Sequence, residues 1–141
     1  MNFCEKKATV SCFYDGYNHK DIEKSFDDFI APDLVNHTMG GSLGREKWLA
    51  FDKAFLAAVP DLRFVVKEQF SDNNRVVTHW RCVGTHQGEF MGMAASGNDI
   101  ELEGISIDEV INGKIREHFA MADFTKFMQQ FAERESVLSK V

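Results

Sequence analysis

The chain has few cysteines, two prolines, no long apolar run and no basic cluster, and each shortage removes a class of protein. Three cysteines in 141 residues (Cys4, Cys12, Cys82), with no CxxC spacing, supply neither a disulfide framework nor a zinc knuckle. Each is expected to be a free, buried thiol. No stretch approaches the roughly 20 apolar residues of a membrane span. The N-terminal MNFCEKKATV lacks the apolar segment of a signal peptide, so a cytoplasmic location is expected. The 16 Lys and Arg are scattered against 22 Asp and Glu, for a net charge of -6. That balance argues against a nucleic-acid partner and is repelled by an anionic membrane surface. The two prolines, Pro32 and Pro60, are expected to end helices, because proline disfavours the helical conformation in the residue before it.

Phenylalanine, by contrast, is over-used, at 13 residues against two tryptophans and two tyrosines. So many plain rings need a large core, or a core plus an apolar pocket. One domain, residues 1–141, is expected. Val10, Phe13, Tyr14 and Tyr17 form the stripe of an amphipathic helix. Asp21 can cap a second helix with apolar Ile22, Phe26, Phe29 and Ile30. Leu34 to His37 is a short extended piece, and Gly40-Gly41 turns the chain. A third helix, about Gly44 to Val59, carries Trp48, Phe51, Phe55 and Val59 on one side.

The period then changes. Leu62, Phe64, Val66 and Phe70 alternate with polar residues, and Ser71 to Asn74 make a tight turn. Ile100 to Ile111 resumes the strand pattern with Leu102, Ile105, Ile107 and Val110. Asn112-Gly113 is a strong hairpin signal, Lys114 to Ala122 returns, and a last helix presents Phe124, Phe127, Met128, Phe131 and Leu138. Helices followed by an antiparallel meander define an α+β fold: a strongly curved sheet wrapped around the N-terminal helices as a cone with an apolar interior.

The stretch Val76–Gly92, VVTHWRCVGTHQGEFMG, organises the rest. As a strand it puts Val76, Thr78, Trp80, Cys82 and His86 on one face. His79 and His86 are an odd number of residues apart, which argues against a shared metal. An indole and an imidazole on one wall are followed by the glycine-bracketed Glu89-Phe90-Met91, a loop suited to covering a cavity.

Several motifs together carry a family resemblance. PDLRF (Pro60–Phe64), GTHQGEFMG (Gly84–Gly92), Ala95-Ser96-Gly97, and NGKIREHF (Asn112–Phe119) with Asp123 resemble the SnoaL-like polyketide cyclases, also called ester cyclases. APDLVNH (Ala31–His37) and the Trp48 helix fit as well, so the similarity spans nearly the whole chain. The resemblance implies the cone-shaped barrel of nuclear transport factor two and ring closure by intramolecular aldol condensation without metal or cofactor. It implies an acid/base carboxylate at Asp123, with His37, His86 and His118 lining or bordering the pocket. Two positions depart from the pattern: the usual ATGK or ATGR reads AASGN (Ala94–Asn98), and the usual EHW ends in Phe119.

An aldol closure needs a base beside a carbonyl and a donor for the developing enolate. An aspartate gains base strength when burial among apolar side chains raises its pKa. On a regular last strand Ile115, Phe119, Met121 and Asp123 share a face, which would bury Asp123 at the end of an apolar stripe; the competing role is helix N-cap. His86 is the candidate histidine for oxyanion or proton work, or else satisfies loop carbonyls. His37 or Asn36 can orient a ligand carbonyl, although Asn36 also suits a turn. His118 falls on the opposite face and needs a bulge to enter the pocket. Trp48, Phe51, Phe55, Trp80, Phe90, Met91 and Phe119 complete the expected wall.

The expected function is therefore a cyclase-type enzyme acting on a small hydrophobic carbonyl compound. A non-catalytic binding module, or a hydrolase or isomerase in the same cone, are the alternatives. Epoxide hydrolysis wants two carboxylates and an arginine around one water, and the adjacent Arg116 and Glu117 supply no such trio. Apolar Val65, Val77 and Val83 among wet outer residues suggest a sheet-to-sheet homodimer.

Overall fold

The computed structural model describes residues 3–38 and 41–132. The first helix, α1 (Phe3–His19), buries the expected stripe of Val10, Phe13, Tyr14 and Tyr17. Lys20, at φ 61°, breaks it, and Asp21 caps α2 (Ile22–Phe29) by accepting from the Lys24 N–H. Ile30 no longer belongs to that helix. It opens strand β1 (Ile30–Asn36), since the chain must be extended ahead of Pro32. After β2 (Leu43–Gly44), α3 (Arg45–Ala58) buries Trp48 and Phe55 but leaves Phe51 44% exposed.

Strands β3 (Arg63–Asp72), β4 (Arg75–Thr85), β5 (Asp99–Ile111) and β6 (Lys114–Ala122) form the antiparallel meander. Strand β1 then adds to β6 in parallel and carries β2 at the edge, giving a curved, unclosed mixed sheet in the order β2-β1-β6-β5-β4-β3. Asn112 and Gly113 both take positive φ, as the tight β5–β6 turn demands. Helix α4 (Phe124–Ala132) follows β6; Leu138, the Cys4 side chain and Gly40 lie outside the described residues.

Two extra residues decide what faces the interior. Val66 pairs with Trp80 but Glu68 pairs with His79, so Lys67 is a bulge in β3. Phe70 is thereby turned outward, 63% exposed, instead of continuing the inner stripe of Phe64 and Val66. Val110 pairs with Ile115 but Glu109 with Glu117, so Arg116 is a bulge in β6. Beyond it His118 and Ala120 point inward, while Phe119 and Met121 point outward, the reverse of regular alternation from Ile115. In β5 the even positions face in: Ile100, Gly104, Ser106, Asp108 and Val110 are buried, and Ile105 and Ile107 lie outside. Of the cysteines, Cys82 is buried as expected but Cys12 is exposed.

Candidate active site

The concave face of the sheet, α1, α3 and α4 enclose an apolar cavity of about 300 Å³. Aromatic rings from all of these make its wall: Tyr14, Tyr17, Trp48, Phe55, Phe64, Trp80 and Phe127. Phe51 and Met91, the latter 65% exposed, put apolar atoms at its accessible side. Gly104 is needed for this wall, because a Cβ there would sit 2.7 Å from the Trp80 indole and 2.8 Å from the Met121 carbonyl oxygen. Trp80 Nε1 donates to Ser106 Oγ at 2.7 Å on the same inner face. In a larger open groove of about 750 Å³, Arg45 pairs with Asp27 and Glu46, and Lys114 donates to the Asp27 and Asp28 carbonyls.

Polar groups gather at one end of the cavity. Parallel pairing sets Asn36 beside His118, and antiparallel pairing sets His118 beside Asp108, so the three side chains share one rung of the inner face. His118 Nδ1 lies 2.6 Å from Asp108 Oδ1, within hydrogen-bond distance, and Asp108 is only 1% exposed. The imidazole stacks on Trp48, ring centroids 4.5 Å apart at 21°. From α3, Asp52 enters the same cavity and its Oδ2 accepts from the Tyr17 hydroxyl at 2.5 Å. Burial pushes the Asp52 carboxyl up to about 6; the Tyr17 hydrogen bond, the His118 charge and the Trp48 indole each pull part of the way back. The Tyr17 phenol is held well above its ordinary value by burial and then by Asp52, and the Tyr14 phenol by burial and then by Asp108. Both remain neutral donors. Burial also lifts the Cys82 thiol to about 12, which keeps it from acting as a thiolate.

The residues singled out from the sequence divide into two groups. Asn36, Trp48, Phe51, Phe55, Trp80, Met91 and His118 line the cavity. His37 is exposed and pairs with Glu117 at 3.0 Å. Phe119 lies on the outer face, carried there by the Arg116 bulge. Phe90 is buried behind the wall against Phe51, Phe55 and Phe131. His86 is fully buried with its ring against Phe131, and Nδ1 lies 2.9 Å from Ser96 Oγ. Asp123 is exposed, and its Oδ1 accepts from the Lys126 N–H at 2.9 Å as the N-cap of α4. The burial that would strengthen it as a base is therefore missing.

Asp52, Tyr17, Tyr14, Ser106 and Asp108 are the site residues that sequence reasoning passed over. A signal existed for two of them. Asp52 stands four residues after Trp48 and three before Phe55, a carboxylate inside an apolar helical stripe. Asp108 alternates with Ser106 and Val110. The two tyrosines were legible only as core.

The profile of the SnoaL-like polyketide cyclases matches residues 7–131. Among solved structures, AclR from Streptomyces galilaeus, described as a candidate hydroxylase, superposes with a TM-score of 0.84 at 23% identity, covering 94% of this chain and 98% of its own. IdmH from Streptomyces antibioticus, described as a candidate polyketide cyclase, gives a TM-score of 0.77 at 28% identity, covering 90% and 98%. TsrD from Streptomyces laurentii gives 0.80 at 19%, covering 93% and 97%. No curated protein gives a significant match. With the profile spanning most of its length and the cone-shaped fold in place around an apolar cavity, the chain belongs to the SnoaL-like polyketide cyclase family.

Proposed function

We propose that this protein is a cofactor-independent cyclase that closes a small apolar carbonyl compound by acid/base catalysis of an intramolecular aldol step. Asp52 is the observation that carries the reading. Its carboxyl, held at about 6 inside an apolar cavity, is matched to proton abstraction near neutral pH in a way a solvated aspartate is not. Asp52 removes the proton beside the carbonyl, and the Asn36 amide N–H groups face the oxygen that gains charge. The enolate carbon attacks a second carbonyl, and the resulting alkoxide takes the proton back from Asp52. His118, on the Asn36 rung, is the second group able to take or return a proton. In this scheme the base role expected of Asp123 passes to Asp52, Asp123 serves as a cap, and His86 supports the loop through Ser96. IdmH, described as a candidate polyketide cyclase, supports the same class of chemistry.

Short acyclic diketones able to close to β-hydroxycyclohexanones are the probe. Turnover should be lost in Asp52→Asn with ligand affinity retained, and kcat/KM should rise with pH to a plateau above about 6. Diketones that bind but never close, with the wild type as with Asp52→Asn, would leave only the binding module.

No described helix is long and apolar enough to cross a membrane. A cytoplasmic location stays within the proposal. So does a homodimer, supported by a row of apolar side chains across the outer face: Phe70 pairs with Val77, Val77 with Ile107 and Ile107 with Phe119, with exposed Ile105 and Met121 alongside.

A further inference from the structure

We propose that Asp108, backed by the Tyr14 hydroxyl, is the positioning residue that fixes His118 as its Nδ1–H tautomer, so that Nε2 meets the cavity as a lone pair. An ionised carboxylate can only accept, so the 2.6 Å contact makes His118 Nδ1 the donor. In the neutral ring, Nε2 is then the acceptor. The protein imposes this choice, since a free imidazole side chain in water favours the proton on Nε2. Stacking on Trp48 holds the ring against a flip that would exchange the two nitrogens.

The second carboxylate oxygen explains Tyr14. Asp108 Oδ2 is buried without a hydrogen-bond partner, and so is the Tyr14 hydroxyl. One is an acceptor lacking a donor, the other a donor lacking an acceptor, and both are costly to leave alone. Tyr14 comes from α1 over the inner face, where Ser106 and Asp108 occupy successive inward positions of β5. After burial, the Asp108 charge and then the Ser106 side chain, as a hydrogen-bonding neighbour, act most on the Tyr14 phenol, so the hydroxyl lies near both. A small movement or one bridging water would complete a Tyr14–Asp108–His118 chain. The register beyond the Arg116 bulge, which sets His118 opposite Asp108 on the inner face, is its backbone prerequisite.

The catalytic consequence rests on the function proposed above; the tautomer does not. Long-range proton–nitrogen NMR of the ¹⁵N-labelled protein reads it directly, on the alkaline side of the imidazole titration, with the His118 signals assigned by their loss in His118→Gln. The wild type should show a protonated Nδ1 and an unprotonated Nε2. Asp108→Asn should shift the proton wholly or partly to Nε2, and Tyr14→Phe should reduce the Nδ1–H population. A wild-type ring protonated at Nε2 overturns the proposal even if no variant folds, and so does an unchanged tautomer in Asp108→Asn. In any diketone closure that Asp52→Asn abolishes, Asp108→Asn should lower kcat by roughly tenfold or more with KM little changed. An imposed tautomer with kcat unaffected would refute the positioning role while leaving the Asp52 reading intact.

Discussion

Asp52→Asn should make the protein more stable while making it inactive, and the size of the gain follows from the site. The carboxyl rises from its ordinary 3.8 to about 6 because the ionised form is costly among Tyr17, Trp48 and Phe55. At about 1.4 kcal/mol for each tenfold change in acidity, this amounts to about 3 kcal/mol. The sign follows from the direction of the shift. Below about 4 the group is protonated folded and unfolded, and it costs nothing. As pH rises toward 6 the unfolded chain releases the proton and the folded one keeps it, so stability falls. Above about 6 the full penalty stands. Asparagine keeps the acceptor for the Tyr17 hydroxyl without the charge. Urea titrations of both proteins should therefore coincide near pH 4 and differ by up to about 3 kcal/mol at pH 8, a melting difference on the order of 10 °C. An Asn variant no more stable than the wild type at pH 8, or a gap independent of pH, would refute the account of Asp52 as a desolvated base.

Asp123→Ala removes a cap and should cost about 1 kcal/mol in chemical denaturation while leaving turnover unchanged. Ile107→Arg places a charge in the middle of the outer apolar row and should yield monomers in sedimentation; an unchanged sedimentation coefficient at matched concentration would dismiss the sheet-to-sheet dimer. Deleting Arg116 should restore plain alternation between Ile115 and His118 while keeping His118 inward, so diketone turnover should survive in the deletion and fail in a two-residue deletion of Arg116 and Glu117, which re-phases the strand.

The helices and turns were legible because their signals are local. Val10, Phe13, Tyr14 and Tyr17 lie on one helical face whatever happens elsewhere, and Asn112-Gly113 admits a tight turn from its own backbone preferences. The parallel placement of β1 beside β6 depends on where two distant segments meet, and no local pattern announces it. Strand facing fails for a sharper reason. Parity counted from Ile115 predicts Phe119 and Asp123 inside, and one extra residue at Arg116 reverses every later assignment. Lys67 does the same to Phe70. Asp52 gives only an ambiguous signal, because a lone carboxylate in an apolar helical stripe is indistinguishable by pattern from a gap in it.

The same two bulges explain how a sheet so rich in apolar side chains ends up with a polar inner corner. Before Lys67 the inner face of β3 presents Phe64 and Val66; after it, Gln69 and Ser71. Gln69 pairs with Thr78, Thr78 with Ser106 and Ser106 with Ala120, while Asp108 pairs with His118 on the next rung. Each bulge thus exports a phenylalanine, Phe70 or Phe119, to the outer face and admits polar or small groups in its place. One shift of phase supplies both the apolar row proposed to bury a second copy and the hydrogen-bonding corner proposed to handle the proton. In this sequence the register set at each bulge, rather than any single side chain, is the feature on which the proposed assembly and the proposed chemistry jointly depend.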